Sequence, residues 1–223
     1  MTIGSQLQEV LEQHANTRIK LRINDNHSTV LSVRSYPDHL SVSLHRLFLT
    51  APANILLDLA AYISGKIRSL TPKVKAFMER AMESLDYSSR VKGNALLTIG
   101  MHHNLKNLFN EINSEYFDNQ VVSNVTWFGR KTRAGGTSAT LGLYSHPMKL
   151  IKIHRRLDHS FVPEYFVSYV IFHEMLHQVC PTYHDALGRH YVHTKEFKRR
   201  EKQFKYYDEA TRWLDENEHL IFN

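Results

Sequence analysis

A run of Tyr165, Phe166, Val167, Tyr169, Val170, Ile171 and Phe172 leads straight into His173-Glu174-Met175-Leu176-His177. Pro163 and Glu164 suit the first turn of a helix, and Pro181, four residues after His177, stops it. A helix apolar on nearly all sides belongs in a domain interior. His and Glu are costly there unless they are bound to something. The chain must therefore fold around this helix and satisfy three polar side chains within it. The blander alternative is a core helix with two hydrogen-bonded histidines.

His173 and His177 are four apart, so on a helix their Cβ atoms stand about 5–6 Å apart on one face, within reach of one metal ion. Glu174 sits beside them, positioned to take a proton from a water held by the metal. This is the HExxH pattern of zinc hydrolases, and it predicts a metal-dependent hydrolase, first of all a peptidase. The chain holds 15 histidines, and in such a composition the pattern arises by chance in roughly 1 case in 20. The surroundings have to carry the rest.

A catalytic zinc takes three protein ligands and keeps one position open for water. The third ligand should come from downstream, where His184, His190, His193, Glu196 and Glu201 are the candidates. His193 is the preferred one. It opens a predicted helix over 194–206, in which Phe197 and Phe204 recur seven apart and can anchor the helix to the core. Glu196, eighteen residues beyond His177, is its main rival; His184 and His190 fit the loop between Cys180 and Tyr191.

Several segments, taken in order, resemble the SprT-like (Spartan-type) metallopeptidase domain. Asn113, Tyr116 and Phe117 match its opening helix. Leu141-Gly142-Leu143-Tyr144, then Ile151-Lys152-Ile153-His154 and Leu157-Asp158, resemble its strand pair and turn. His173-Glu174-Met175-Leu176-His177, followed by His193 and Phe197, match its metal-binding helix and third-ligand motif. The resemblance covers about residues 101–206 and extends to predicted metal hydrolases of the YgjP-like kind. It implies Zn2+ held by His173, His177 and His193, Glu174 as general base, and a zincin-like core whose HExxH helix packs on a small sheet. Thr194 stands where many relatives have glycine, which bears on the local backbone and not on the ligand.

A chain of 223 residues, 42% hydrophobic, can bury a substantial core in one domain or two small ones. The single cysteine, Cys180, excludes an internal disulfide framework, suits a reducing cytosol and is best read as a small buried residue. The N-terminus lacks a charged start and a long apolar run. The apolar stretches 55–63 and 161–172 fall short of the roughly 20 residues that a bilayer requires. A cytoplasmic, soluble protein without a membrane partner is expected, and no oligomeric state is implied.

The predicted architecture is α+β, with an N-terminal α/β extension over residues 1–93 and the metallopeptidase domain over 94–223. In the extension, a helix near 7–14 precedes strands at 19–23 and 29–36 joined by a turn at Asn24-Asp25-Asn26. A third strand at 40–44 and helices over 52–67 and 72–85 follow, the last capped by Thr71-Pro72. Beyond the polar stretch 86–93 come a helix over 102–117 and strands at 121–128, 139–144 and 150–154. The metal-binding helix, the 194–206 helix and a last helix over 208–217 complete the chain. Leu150–His154 is read as an edge strand beside the cleft, to which a peptide substrate could add.

The formal net charge is +6, unevenly placed. Arg130, Lys131, Arg133, Lys149, Lys152, Arg155 and Arg156 have no acid among them. Arg189, Lys195, Lys198, Arg199, Arg200, Lys202 and Lys205 are offset only by Glu196 and Glu201. Such fields attract phosphate backbones or acidic proteins, and Spartan-type relatives act on proteins crosslinked to DNA. Ordinary solvated faces with Glu196–Arg200 and Glu201–Lys205 pairs are the plainer reading. Trp127 and Phe128 could stack on bases, although such a pair on a strand is more often core. The expected partner is a protein or peptide substrate, with nucleic acid as a second. Tyr183, Tyr191, His190 and Arg189 are the candidate oxyanion donors. Two other functions remain open: hydrolysis of a non-peptide bond such as in RNA, and a non-catalytic basic zinc-binding or nucleic-acid-binding module.

Overall fold

A computed structural model describes residues 2–27, 29–129, 140–180, 182–185 and 190–222. They form two compact units: Met1–Leu85 with His184–His190, and Asp86–Tyr183 with Tyr191–Asn223. Seven α-helices and two three-stranded sheets among the described residues make the architecture α+β. Pro181, Arg189 and the cluster Arg130, Lys131 and Arg133 lie outside the described residues.

The first unit runs through α1 (Ile3–Ala15), β1 (Ile19–Asn24), β2 (Leu31–Ser35), β3 (Leu40–His45), α2 (Ala53–Ile63) and α3 (Pro72–Glu83). Leu7 and Leu11 of α1, and Ile55, Leu59 and Ile63 of α2, recur every four residues and are buried as one stripe on each helix. Thr71 caps α3 by accepting the Val74 N–H, with Pro72 in the first helical position. The expected pairing of β1 with β2 is corrected: β3 lies between them, parallel to β1 and antiparallel to β2. The reason is burial, since Val42 and Leu44 of β3 are wholly enclosed and the most apolar strand takes the centre. α2 ends at Ile63, short of the predicted end, because Gly65 turns the chain with a φ of 75°.

The second unit contains α4 (Leu105–Phe117), β4 (Asn124–Phe128), β5 (Gly142–Ser145), β6 (Leu150–His154) and α5 (Glu164–Val179). After the paired two-residue strands β7 (Tyr183–His184) and β8 (His190–Tyr191) come α6 (Lys195–Glu201) and α7 (Tyr207–Phe222). β6 is the central strand of the sheet, parallel to β4 and antiparallel to β5. The expectation of an edge strand there is thus corrected. Leu150 and Ile151 are consecutive and both buried, so β6 is covered on both faces. The strand that borders α5 at the sheet's edge is β5.

α5 packs against α4, β5, β6, α6 and α7. Tyr116 and Phe117 of α4 place their rings 4.9 and 5.5 Å from Phe172. Phe204, in the turn between α6 and α7, lies 5.2 Å from Phe172 and 5.8 Å from Tyr169. The helix expected over 194–206 is therefore shorter, ending at Glu201, with this buried phenylalanine anchoring the turn that leads into α7. Asp158 accepts from the N–H groups of Met101 and His102 at 2.8 Å each, tying the turn after β6 to the chain entering α4. Among the described residues no helix is long and apolar enough to cross a membrane.

Buried Asn113 bridges both main-chain groups of Val121: its amide donates to the carbonyl at 3.0 Å and its Oδ1 accepts the N–H at 3.1 Å. Removing the side chain would strand both groups away from water. Asn113→Ala is expected to lose about 2–4 kcal/mol of stability, at about 1–3 kcal/mol per unsatisfied buried group. Urea denaturation checks this, and a loss below about 1 kcal/mol would mean that water reaches Val121.

Candidate metal centre

Two helices bring the three histidines together. α5 presents His173 and His177 one turn apart, and His193 directly precedes the N-cap of α6. Their ligand-capable atoms all lie within 4.8 Å of one another. The ring centroids are 5.0 Å apart for His173–His177, 5.0 Å for His173–His193 and 5.1 Å for His177–His193. Nitrogens bound to one zinc at about 2.0–2.1 Å stand about 3.4 Å from each other in a tetrahedron, so small side-chain adjustments close this trio on an ion. The wholly buried Phe197 lies 5.0, 4.8 and 4.7 Å from the three rings and walls off one side of the cluster.

Thr194 explains how the third histidine is held without glycine after it. Its φ of −67° and ψ of 173° are ordinary extended backbone, and its hydroxyl accepts the Phe197 N–H at 3.2 Å. A capping residue serves here, and no left-handed conformation is needed.

The electrostatics favour the neutral form of two of these imidazoles, His177 and His193. Burial, reinforced by His173 and His193, brings His177 down to about 3. Burial and His173 also lower His193. Both rings are neutral at physiological pH, with a lone pair available. Glu174 is buried, and that burial raises its carboxyl to about 7 against the opposing pull of His173 and the Tyr144 N–H. Gly142 makes room for it: a Cβ at this position would stand 2.4 Å from Glu174 Oε1 and 2.8 Å from its Cγ. The glycine of Leu141-Gly142-Leu143-Tyr144 thus works through space, by letting β5 lie against the acid.

The other candidates lie elsewhere. Glu196 is on the outer side of α6, bonded to Arg199 at 2.8 and 2.9 Å and to Arg200 at 2.7 Å. His190 faces Glu79 at 3.3 Å within the first unit. Tyr183 and Tyr191 stack on each other at 4.9 Å. Glu201 does not pair with Lys205; it turns inward and accepts from His173 Nδ1 at 2.6 Å and from the Tyr169 hydroxyl at 3.0 Å. Burial pushes the Glu201 carboxyl up, but these hydrogen bonds outweigh it and hold the group below the usual range. Cys180 and Trp127 are buried in the core. The roles of Gly142, Tyr169 and Glu201 escape the sequence motifs. The one signal in the chain is spacing, with Tyr169 four before His173 and Glu201 eight after His193.

In the metal-free protein the fold favours the protonated form of Glu174. That contribution is present below its ordinary value of 4.5 and is lost as the pH rises through about 7. Between about pH 4 and about pH 8, Glu174→Gln should gain roughly 2–3 kcal/mol of stability relative to wild type, at about 1.36 kcal/mol per pKa unit. Urea titrations at the two pH values check this; a difference that does not change with pH contradicts it.

Comparison with known proteins adds a family. The model of the SprT-like family matches residues 105–213, a little under half of the chain. No curated protein and no solved structure matches. The matched segment contains α4, the sheet β4-β6-β5, α5 with His173 and His177, and α6 with the histidine before it. Over residues 105–213 the chain is similar to the SprT-like family.

Proposed function

We propose that this protein is a zinc-dependent metallopeptidase with a zincin-like core, in which His173, His177 and His193 hold the ion and Glu174 is the general base. The observation that carries the reading is the buried Glu174 carboxyl, set beside three converging histidines in a space that Gly142 leaves open. A structural zinc site is closed by four protein ligands. Among the described residues three converge, which leaves a position for water and substrate. A binding module would have no use for a buried acid there, and that acid opposes folding at neutral pH.

The chemistry that zinc supplies when bound is acidification of water to a pKa of about 7 and polarisation of a carbonyl. Glu174, itself raised to about 7, is matched to take the proton from the attacking water. It then returns that proton to the departing amine. The Tyr144 main-chain N–H fixes the carboxylate's direction, and Gly142 sets its distance from β5. Among the described residues β5 pairs with β6 along one side only, so an extended peptide would add to its other side, next to Glu174.

Hydrolysis of nucleic acid, or of protein held on it, is favoured by a different observation. Lys195 and Lys198 are exposed on α6, Lys202 at its C-cap and Lys205 in the turn beyond it, whereas Arg199 and Arg200 are engaged by Glu196. Single-stranded DNA should bind more weakly as salt rises. Replacing Lys195, Lys198 and Lys202 by Gln should lessen that salt dependence by about 3 in the slope at most, at up to about 0.7–0.9 per phosphate contact. Unchanged DNA binding in the triple variant would remove α6 from the interface.

The peptidase reading is tested by zinc analysis and casein cleavage. Wild type should carry one zinc and cleave, Glu174→Gln should keep the zinc and lose cleavage, and Gly142→Ala should keep the zinc and lose about 100-fold by displacing Glu174. Cleavage that survives in Glu174→Gln contradicts the reading.

A further inference from the structure

Glu201 is the last residue of α6 and has no place in the HExxH pattern. Its side chain is only 13% exposed, and a carboxylate so enclosed has to be satisfied from within. Two donors from α5 meet it: His173 Nδ1 at 2.6 Å and the Tyr169 hydroxyl at 3.0 Å, each on Oε1. Tyr169 and His173 are four apart and share a helix face. His193, Phe197 and Glu201 also recur every four residues, along the segment that opens and forms α6. One short helix therefore delivers the third histidine, the aromatic wall and the carboxylate.

We propose that Glu201 is a positioning residue of the metal centre, holding His173 with the proton on Nδ1 so that Nε2 faces the ion. An ionised carboxylate only accepts, so the ring nitrogen that touches it must be the donor. The other nitrogen is then unprotonated and lies on the opposite side of the ring. Without Glu201 the imidazole can rotate or take the other tautomer, which turns an N–H toward the metal. The negative charge also makes His173 a more basic ligand. Tyr169 in turn fixes the carboxylate, and because Glu201 belongs to α6 and both donors to α5, the same bonds hold His193 in register with His173 and His177.

This inference rests on the zinc reading above. It is tested by zinc affinity, measured by competition with a chromophoric chelator on the full chain. Glu201→Gln keeps the shape and an acceptor oxygen but loses the charge, and should bind zinc about 10-fold more weakly. Glu201→Leu loses both and should bind about 100-fold more weakly, with Tyr169→Phe showing a smaller loss than either. Glu196→Gln, on the exposed side of the same helix, should match wild type. The visible spectrum of the cobalt(II)-loaded protein should change in both Glu201 variants. A purely structural role would lower the melting temperature of the metal-free protein without altering either readout. Wild-type affinity and an unchanged cobalt spectrum in both Glu201 variants overturn the assignment of Glu201 alone. No zinc on the wild-type chain overturns the zinc reading and this inference together.

Discussion

The second unit depends on the enclosure of α5. Its apolar residues meet α4, two strands of the sheet, α6 and α7, and the aromatic contacts around Phe172 and Tyr169 join most of these elements. A helix enclosed on most sides leaves its polar side chains little solvent, so they find partners inside the fold. His173 finds Glu201, Glu174 finds the Tyr144 N–H, and His177 and His193 face each other and His173. The close cluster of donors is thus a consequence of how the core is built.

That enclosure also sets the protonation states. Burial disfavours charge, so it drives His177 and His193 toward the neutral ligand form and drives Glu174 toward the neutral acid. Glu201, equally inward, is held as an anion because two donors meet it. Two carboxyl groups near one histidine are thereby driven toward opposite charge states. Under the proposed function, one exchanges a proton near neutral pH and the other stays charged and holds a ring. Separation of this kind is how a single fold assigns acid and base roles.

Much of this was legible in the chain. The apolar run before His173 announced an enclosed helix, the spacing of His173 and His177 announced a shared face, and Phe197 and Phe204 marked the anchors of the segment beyond His193. The choice of His193 over Glu196 could be argued from the helix that His193 opens, yet the spacing of Glu196 fitted as well; what separates them is that His193 lies beside His173 and His177, a tertiary fact, while Glu196 is engaged by Arg199 and Arg200 of its own helix. Strand order was less accessible. Local pattern identifies β1, β2, β3 and β6, but which strand sits centrally depends on what covers its two faces, which local pattern does not contain. Gly142 stood in the strand motif and Glu201 among the candidate ligands, but the part each plays was out of reach for a similar reason. Each matters through a neighbour far away in sequence, Glu174 for one and His173 for the other.

The central claim is that three imidazoles hold one zinc and leave a position open. X-ray absorption at the zinc edge of the loaded full chain reads this directly. The account predicts three imidazole nitrogens and one further light atom, all at about 2.0–2.1 Å, with no sulfur. A sulfur scatterer at about 2.3 Å, or four imidazoles closing the shell, would contradict it.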